Sequence, residues 1–132
     1  MRQTLERSAR PPLRRRPAVH LAVWTALLLA KLPPRRIVTV LSVVRRGAAP
    51  AGYDDALLAR NDVVGVSVRC AGRYCLPRAI ATALLCRMRG VWPTWRVGVH
   101  TAPFAAHSWV EAEGRAVDEP YPDGHFSPIL SV

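Results

Sequence analysis

Cys75 stands directly ahead of Leu76-Pro77 in RYCLPRAIATALLCRMRG, His107 opens HSWVE, and two acids, Asp118 and Glu119, follow in GRAVDEP. Proline is favoured in the first turn of a helix, where its missing N–H costs nothing. Cys75 is therefore expected at a helix N-terminus, where unpaired N–H groups and the helix dipole stabilise a thiolate, the nucleophilic form of the side chain. The same N–H groups could hold the oxyanion formed when that thiolate attacks a carbonyl. A base must come from elsewhere in the fold, usually a histidine held by a carboxylate or amide. The chain offers four histidines. His20 lies in an N-terminal apolar segment and His125 in the tail, while His100 ends a strand. His107 is preferred because a carboxylate, Asp118 or Glu119, lies one hairpin later. Adjacent strand residues face opposite ways, so only one of the two acids can reach it. The same residue types also suit a buried cysteine behaving as a small hydrophobe and an ordinary hydrogen-bonded histidine.

Those side chains need a helix and a short sheet. Leu76, Ile80, Ala83, Leu84 and Met88 recur at helical spacing. Arg87 and Arg89 sit in the last turn, favourable to the dipole, and Gly90 follows as the natural C′ residue, giving a helix over 76–89. Residues 95–99 read as a strand. Residues 108–112 alternate as another, Glu113-Gly114 is a turn, and 115–118 read as the returning strand. Upstream, residues 1–16 read as a disordered basic arm. A helix over 17–31 stops at Pro33-Pro34, and helical periodicity resumes over 35–45. GAAPAG at 47–52 reads as a linker, and Asp54 or Asp55 can cap the helix that follows. The organisation is thus an arm, a basic apolar helical segment over 17–46, and a domain over 52–132.

The formal charge of +10 is concentrated in one place: residues 1–46 hold eleven basic residues and one acid, while residues 47–132 hold eight of each. A basic, apolar N-terminal segment suits an anionic partner or a membrane surface. Its apolar run, 18–30, is below the ~18 residues needed to span a bilayer, so a buried or interfacial helix is expected. Trp24 is the only aromatic of the segment and no nucleic-acid motif is matched, so nucleic acid is not expected as a partner. The three cysteines include no CxxC pair, which argues against a zinc site. Cys70 and Cys75 could approach each other, but reduced thiols and a cytoplasmic location are expected. No metal or organic cofactor is called for.

CLPRAIATALLCRMRG followed by VGVH, PFAAHSWVE and GRAVDEP resembles the leader-removing peptidase of lasso peptide biosynthesis, whose domain is similar to transglutaminase-like and papain-like cysteine hydrolases. The likeness spans about residues 52–120, with a looser match at Leu32 to Arg36. Ala79-Ile80-Ala81 and Ser108 depart mildly from the family pattern. The resemblance implies an α+β fold, with the reactive cysteine on a helix N-terminus packed on a short antiparallel sheet and basic helices in front. It implies Cys75 as nucleophile and His107 as base. Counted from the histidine, the family acid falls on Glu119, with Asp118 one position early. The implied activity is cysteine endopeptidase cleavage of a leader from a precursor peptide. The implied partners are that precursor, a separate leader-recognition protein and an ATP-dependent lasso cyclase. The basic segment would dock one of these or make peripheral contact with a membrane. Two competing readings are a non-catalytic binding module for membrane or nucleic acid, and an amidase or acyltransferase on the same Cys–His scaffold.

Overall fold

The computed structural model describes residues 11–67, 75–121 and 124–132. Residues 1–10 of the expected arm lie outside them, as does Cys70, which sequence alone allowed to approach Cys75. Four helices, α1 (Arg16–Leu29), α2 (Pro34–Val44), α3 (Tyr53–Val66) and α4 (Cys75–Met88), precede most of the sheet. Strands β3 (Thr94–Thr101), β4 (Phe104–Ala112), β5 (Arg115–Ala116) and β6 (Ser127–Ser131) form an antiparallel sheet in the order β5-β4-β3-β6. The fold class is α+β, as expected.

Helix α4 is the centre of the molecule. Every residue from Arg78 to Cys86 is buried, so the apolar stripe expected on one face extends all the way round. Helices α1 and α3 cover it on one side and β4 on the other. Ala79, Ala81 and Ala83 let those neighbours approach closely, and Ile80 and Leu85 fill the core between them. Met88, expected in the stripe, is instead half exposed, because the helix runs out beyond its cover at that point. Val19, Ala22, Val23 and Ala26 of α1 and Ile37 and Leu41 of α2 belong to the same core cluster.

Several polar contacts differ from the expectations. Within residues 11–16, read as the end of a loose arm, Pro12, Leu13 and Arg14 are exposed, but Pro11 is fully buried and accepts a hydrogen bond from Arg16 Nε at 2.9 Å. Asp62, buried on α3, draws Arg15 to 3.2 Å and Arg89 to 2.8 Å, tying the starts and ends of three helices together. Arg87 donates from Nε to Val44 O at 2.8 Å and from Nη2 to Arg46 O at 3.2 Å. It therefore satisfies carbonyls at the end of α2 that lack helical partners. The linker 47–52 contributes β1 (Ala49–Pro50), paired in parallel with β2 (Val91–Trp92). Asp55 does not cap α3 as its first residue; it reaches back from the first turn to Gly52 N at 3.3 Å.

The sheet beneath the site was only partly foreseen. The turn at Glu113-Gly114 has two left-handed residues, φ 54° and 75°, as a tight hairpin requires. The returning strand stops at Ala116, however, and β6, expected as a short tail, pairs along β3. Because β5 pairs only with Glu111 and Ala112, with one further bond from Val117 N to Val110 O at 3.0 Å, no strand among the described residues pairs with the outer edge of β4 near Ser108.

Candidate active site

The start of α4 and the open edge of β4 bring Cys75 and His107 together. Cys75 is hydrogen-bonded to the His107 side chain and to the backbone of Ser108. His107 Nε2 lies 2.8 Å from Glu119 Oε2, with both side chains nearly out of solvent. Imidazole has two ring nitrogens, so Nδ1 is the one left for the sulfur.

Glu119 and Asp118 separate as adjacent residues should, though by a turn instead of a strand. Asp118 adopts φ 48°, the left-handed region, and its carboxylate turns outward. It is 61% exposed and sits 3.3 Å from Arg60 Nη1 on α3. The acid against His107 is therefore Glu119; Asp118, carried as the alternative, makes a surface ion pair. The kink also carries the chain off the sheet, which is why residues 117–118 are not part of a strand.

The electrostatics follow from these contacts. Burial works to raise the Cys75 thiol. The hydrogen bond from His107, the Ser108 backbone and the charges of His107 and Arg78 outweigh it and hold the thiol below its ordinary 9.0. Burial likewise opposes charge on His107, but hydrogen bonds to Cys75 and Glu119 and their negative charges raise it from 6.5 to about 9. Each member of the pair thus favours charge on the other, a thiolate on Cys75 and an imidazolium on His107. Cys86, three turns further along α4, has no such partner, and burial pushes its thiol up to about 12. One helix holds a reactive thiol at its end and an inert one in its core.

Aromatic rings enclose the far side of His107. Trp109 stacks on it at a centroid distance of 5.9 Å, Phe126 at 5.1 Å, and Tyr121 meets it edge-on at 5.2 Å. Trp109 is held by Glu111, which accepts from its Nε1 at 3.0 Å and lies 2.9 Å from Arg96 Nε. Gly98, opposite His107 in the ladder, makes room for that indole. A Cβ there would stand 2.6 Å from Trp109 Cη2 and 3.0 Å from Phe126 Cβ. None of Gly98, Arg78, Tyr121 or Phe126 was singled out from sequence. A glycine inside a strand run was the one available signal, since it marks a close approach.

The other histidines lie elsewhere. His100 and His125 stack on each other at 4.5 Å, with His100 Nδ1 3.1 Å from His125 O. His20 is exposed on α1. Among the described residues no group of three or more His, Cys, Asp or Glu side chains is placed to hold a metal ion, and no helix is long and apolar enough to cross a membrane.

A half-buried thiol at a helix N-terminus, polarised by a histidine that a carboxylate holds, is the arrangement of a cysteine nucleophile. A family model of the transglutaminase-like superfamily matches residues 19–131. The chain belongs to that superfamily. The match begins inside α1 and runs into β6, well beyond the 52–120 stretch that carries the motif likeness. No curated protein and no solved structure matches the chain. The superfamily membership fits a cysteine hydrolase or acyltransferase scaffold, and the site just described supplies the groups such chemistry needs.

Proposed function

We propose that this transglutaminase-like protein is a cysteine endopeptidase that removes the leader from a lasso peptide precursor. The observation that carries the chemistry is the Cys75–His107–Glu119 chain, with Cys75 lowered and His107 raised. The choice of substrate rests on the motif likeness in CLPRAIATALLCRMRG, PFAAHSWVE and GRAVDEP.

In this reading the Cys75 thiolate attacks the scissile carbonyl. The first N–H groups of α4 lie on the side where the oxyanion develops. His107, already an imidazolium, donates its Nδ1 proton to the departing amine, and a thioester to Cys75 remains. Neutral His107 then takes a proton from water, which attacks the thioester, and the thiolate leaves as the imidazolium reforms. Glu119 holds the ring by Nε2 and offsets its charge throughout. Trp109, Phe126 and Tyr121 keep bulk water from that hydrogen bond, which strengthens it. No step requires a metal or an organic cofactor.

The freed amine of the core peptide passes to an ATP-dependent cyclase, and a separate leader-recognition protein presents the substrate. The basic segment around α1 and α2 is the docking surface in this assembly, which operates in the reducing cytoplasm. Mass spectrometry of a lasso precursor incubated with the leader-binding protein and either this chain or its Cys75→Ala variant tests the proposal. One cleavage, lost in the variant, supports it. Intact precursor with bound leader refutes it, and a product carrying an added amine in place of water shows an acyltransferase.

A further inference from the structure

His107 divides two cavities. One, of about 260 Å³, lies on the Glu119 side and is lined by carboxylates and aromatic rings. The other, of about 400 Å³, has Cys75 and His107 in its wall. Most of that second wall is apolar, with Pro34 and Ile37 from α2, Leu76 from α4, Val97 from β3, and Ile129 and Leu130 from β6; Ala106 and the hydroxyl-bearing Ser108 of β4 also line it. Trp95, fully buried, adds its indole. Among the described residues no Asp, Glu, Lys or Arg lines it. Its neighbours come from both ends of the chain, so the helical segment and the last strand meet at the nucleophile.

We infer that this second cavity is the specificity site of the enzyme and takes a large apolar side chain of the acyl donor, next to the carbonyl that Cys75 attacks. This rests on the nucleophile reading above and adds the substrate class. A charged side chain would lose its hydration there, and His107, the ionisable neighbour besides Cys75 among the described lining residues, is already paired with Cys75 and Glu119, which disfavours it. A branched aliphatic or aromatic one would be removed from water against Ile37, Leu76 and Leu130. The volume lies at the lower end of small-molecule sites, roughly 300–1,000 Å³, and accommodates one such side chain with adjoining backbone. Ile129, 59% exposed, forms the rim and can be changed without touching the core.

The test is alkylation of the full chain by a series of N-alkyl iodoacetamides, from the parent amide to N-hexyl, with modification at Cys75 read by peptide mass. In each reaction the thiolate sulfur bonds to the methylene carbon, the carbon–iodine bond breaks and iodide leaves with its electron pair. Rates are divided by those of glutathione with the same reagent, which removes intrinsic reactivity. Full transfer of a methylene from water is worth about fourfold, so the N-hexyl reagent is expected to gain at least tenfold over the parent. An analogue ending in a carboxylate should show no gain. Ile129→Gln should cut the hexyl advantage, read as the ratio of hexyl to parent rates, several-fold, and Ile37→Ala should shift the preference to longer chains. A normalised rate that does not depend on chain length, or a hexyl advantage unaffected by both variants, overturns the inference. The parent reagent alone reads the nucleophile: if it modifies Cys75 no faster than glutathione, the peptidase reading fails, whatever the chain-length ratio shows.

Discussion

Replacing Glu119 with glutamine isolates what the carboxylate does for His107. The amide oxygen of Gln can still accept from Nε2, so the ring keeps its place while the charge is lost. Burial disfavours the imidazolium, yet Cys75 and Glu119 together raise it from 6.5 to about 9. At about 1.4 kcal/mol per pH unit, that rise is a net preference of about 3 kcal/mol for the charged ring. The His107 side chain is only 11% exposed, so solvent screens little of it. Glu119 supplies two of the four contributions that raise the value, one a hydrogen bond and one a charge. Taking it as about half the effect, Glu119→Gln should lower the midpoint by roughly one pH unit, about 1.5 kcal/mol. Proton NMR of the His107 ring, assigned with a His107 variant, follows this directly. The Cys75 thiolate should form at higher pH in the same variant, because its imidazolium partner is less stable. Asp118→Asn is the control, since Asp118 faces Arg60 and solvent. An unmoved midpoint in Glu119→Gln, or an equal shift in Asp118→Asn, would refute this account of the site.

Other consequences can be measured on the folded chain. Gly98→Ala places a Cβ 2.6 Å from Trp109 Cη2, so it should cost about 1–3 kcal/mol in urea unfolding and slow alkylation of Cys75 by tilting the indole stacked on His107. Arg87→Ala leaves Val44 O without its partner and should destabilise by about 1–2 kcal/mol with no change in Cys75 alkylation. The raised His107 contributes stability that is present below 6.5 and lost as pH rises through about 9, while the lowered Cys75 contributes stability present above 9.0 and lost as pH falls. Where Cys75 is already thiolate, folded and unfolded chains each hold one proton on the pair between those limits, so the two slopes cancel and unfolding free energy should be flat. In Cys75→Ser only the Glu119-supported part of the His107 contribution remains, and stability should decline by about 1–2 kcal/mol over the same window, as chemical unfolding at a series of pH values would show.

The parts of the fold legible in sequence were those with local causes. Pro77 and Gly90 bracket α4, Pro33-Pro34 ends the first helical run, and Glu113-Gly114 turns the hairpin; each acts through its own backbone. What escaped depended on distant residues. Strand β6 has no alternation to announce it, and pairs because β3 offers an edge. Residues 49–50 read as linker, and pair only because β2 lies beside them. Arg15 read as part of a loose arm and Arg87 as a complement to the dipole of its own helix; their partners, Asp62 and the end of α2, lie far away in sequence.

The site divides the same way. A cysteine before a proline places a thiol on a helix N-terminus by local rules. The choice between Asp118 and Glu119 depended on a left-handed residue at 118, a conformation uncommon outside glycine though more accessible to aspartate than to most side chains. The period-two argument correctly kept one acid from the histidine, but for a reason it did not contain, since a kink and not a strand separates them. Gly98 links the two levels. Its missing side chain admits Trp109, Trp109 covers His107, and the cover shields the His107–Glu119 bond from water. Cys75, on α4, is fixed to the most buried element of the chain, while His107 and Glu119 come from an open strand edge and the turn beyond it. Apolar core substitutions along α4 should therefore act on the thiol through stability alone, whereas changes near 98, 109 and 126 should alter its ionisation in a protein that remains folded.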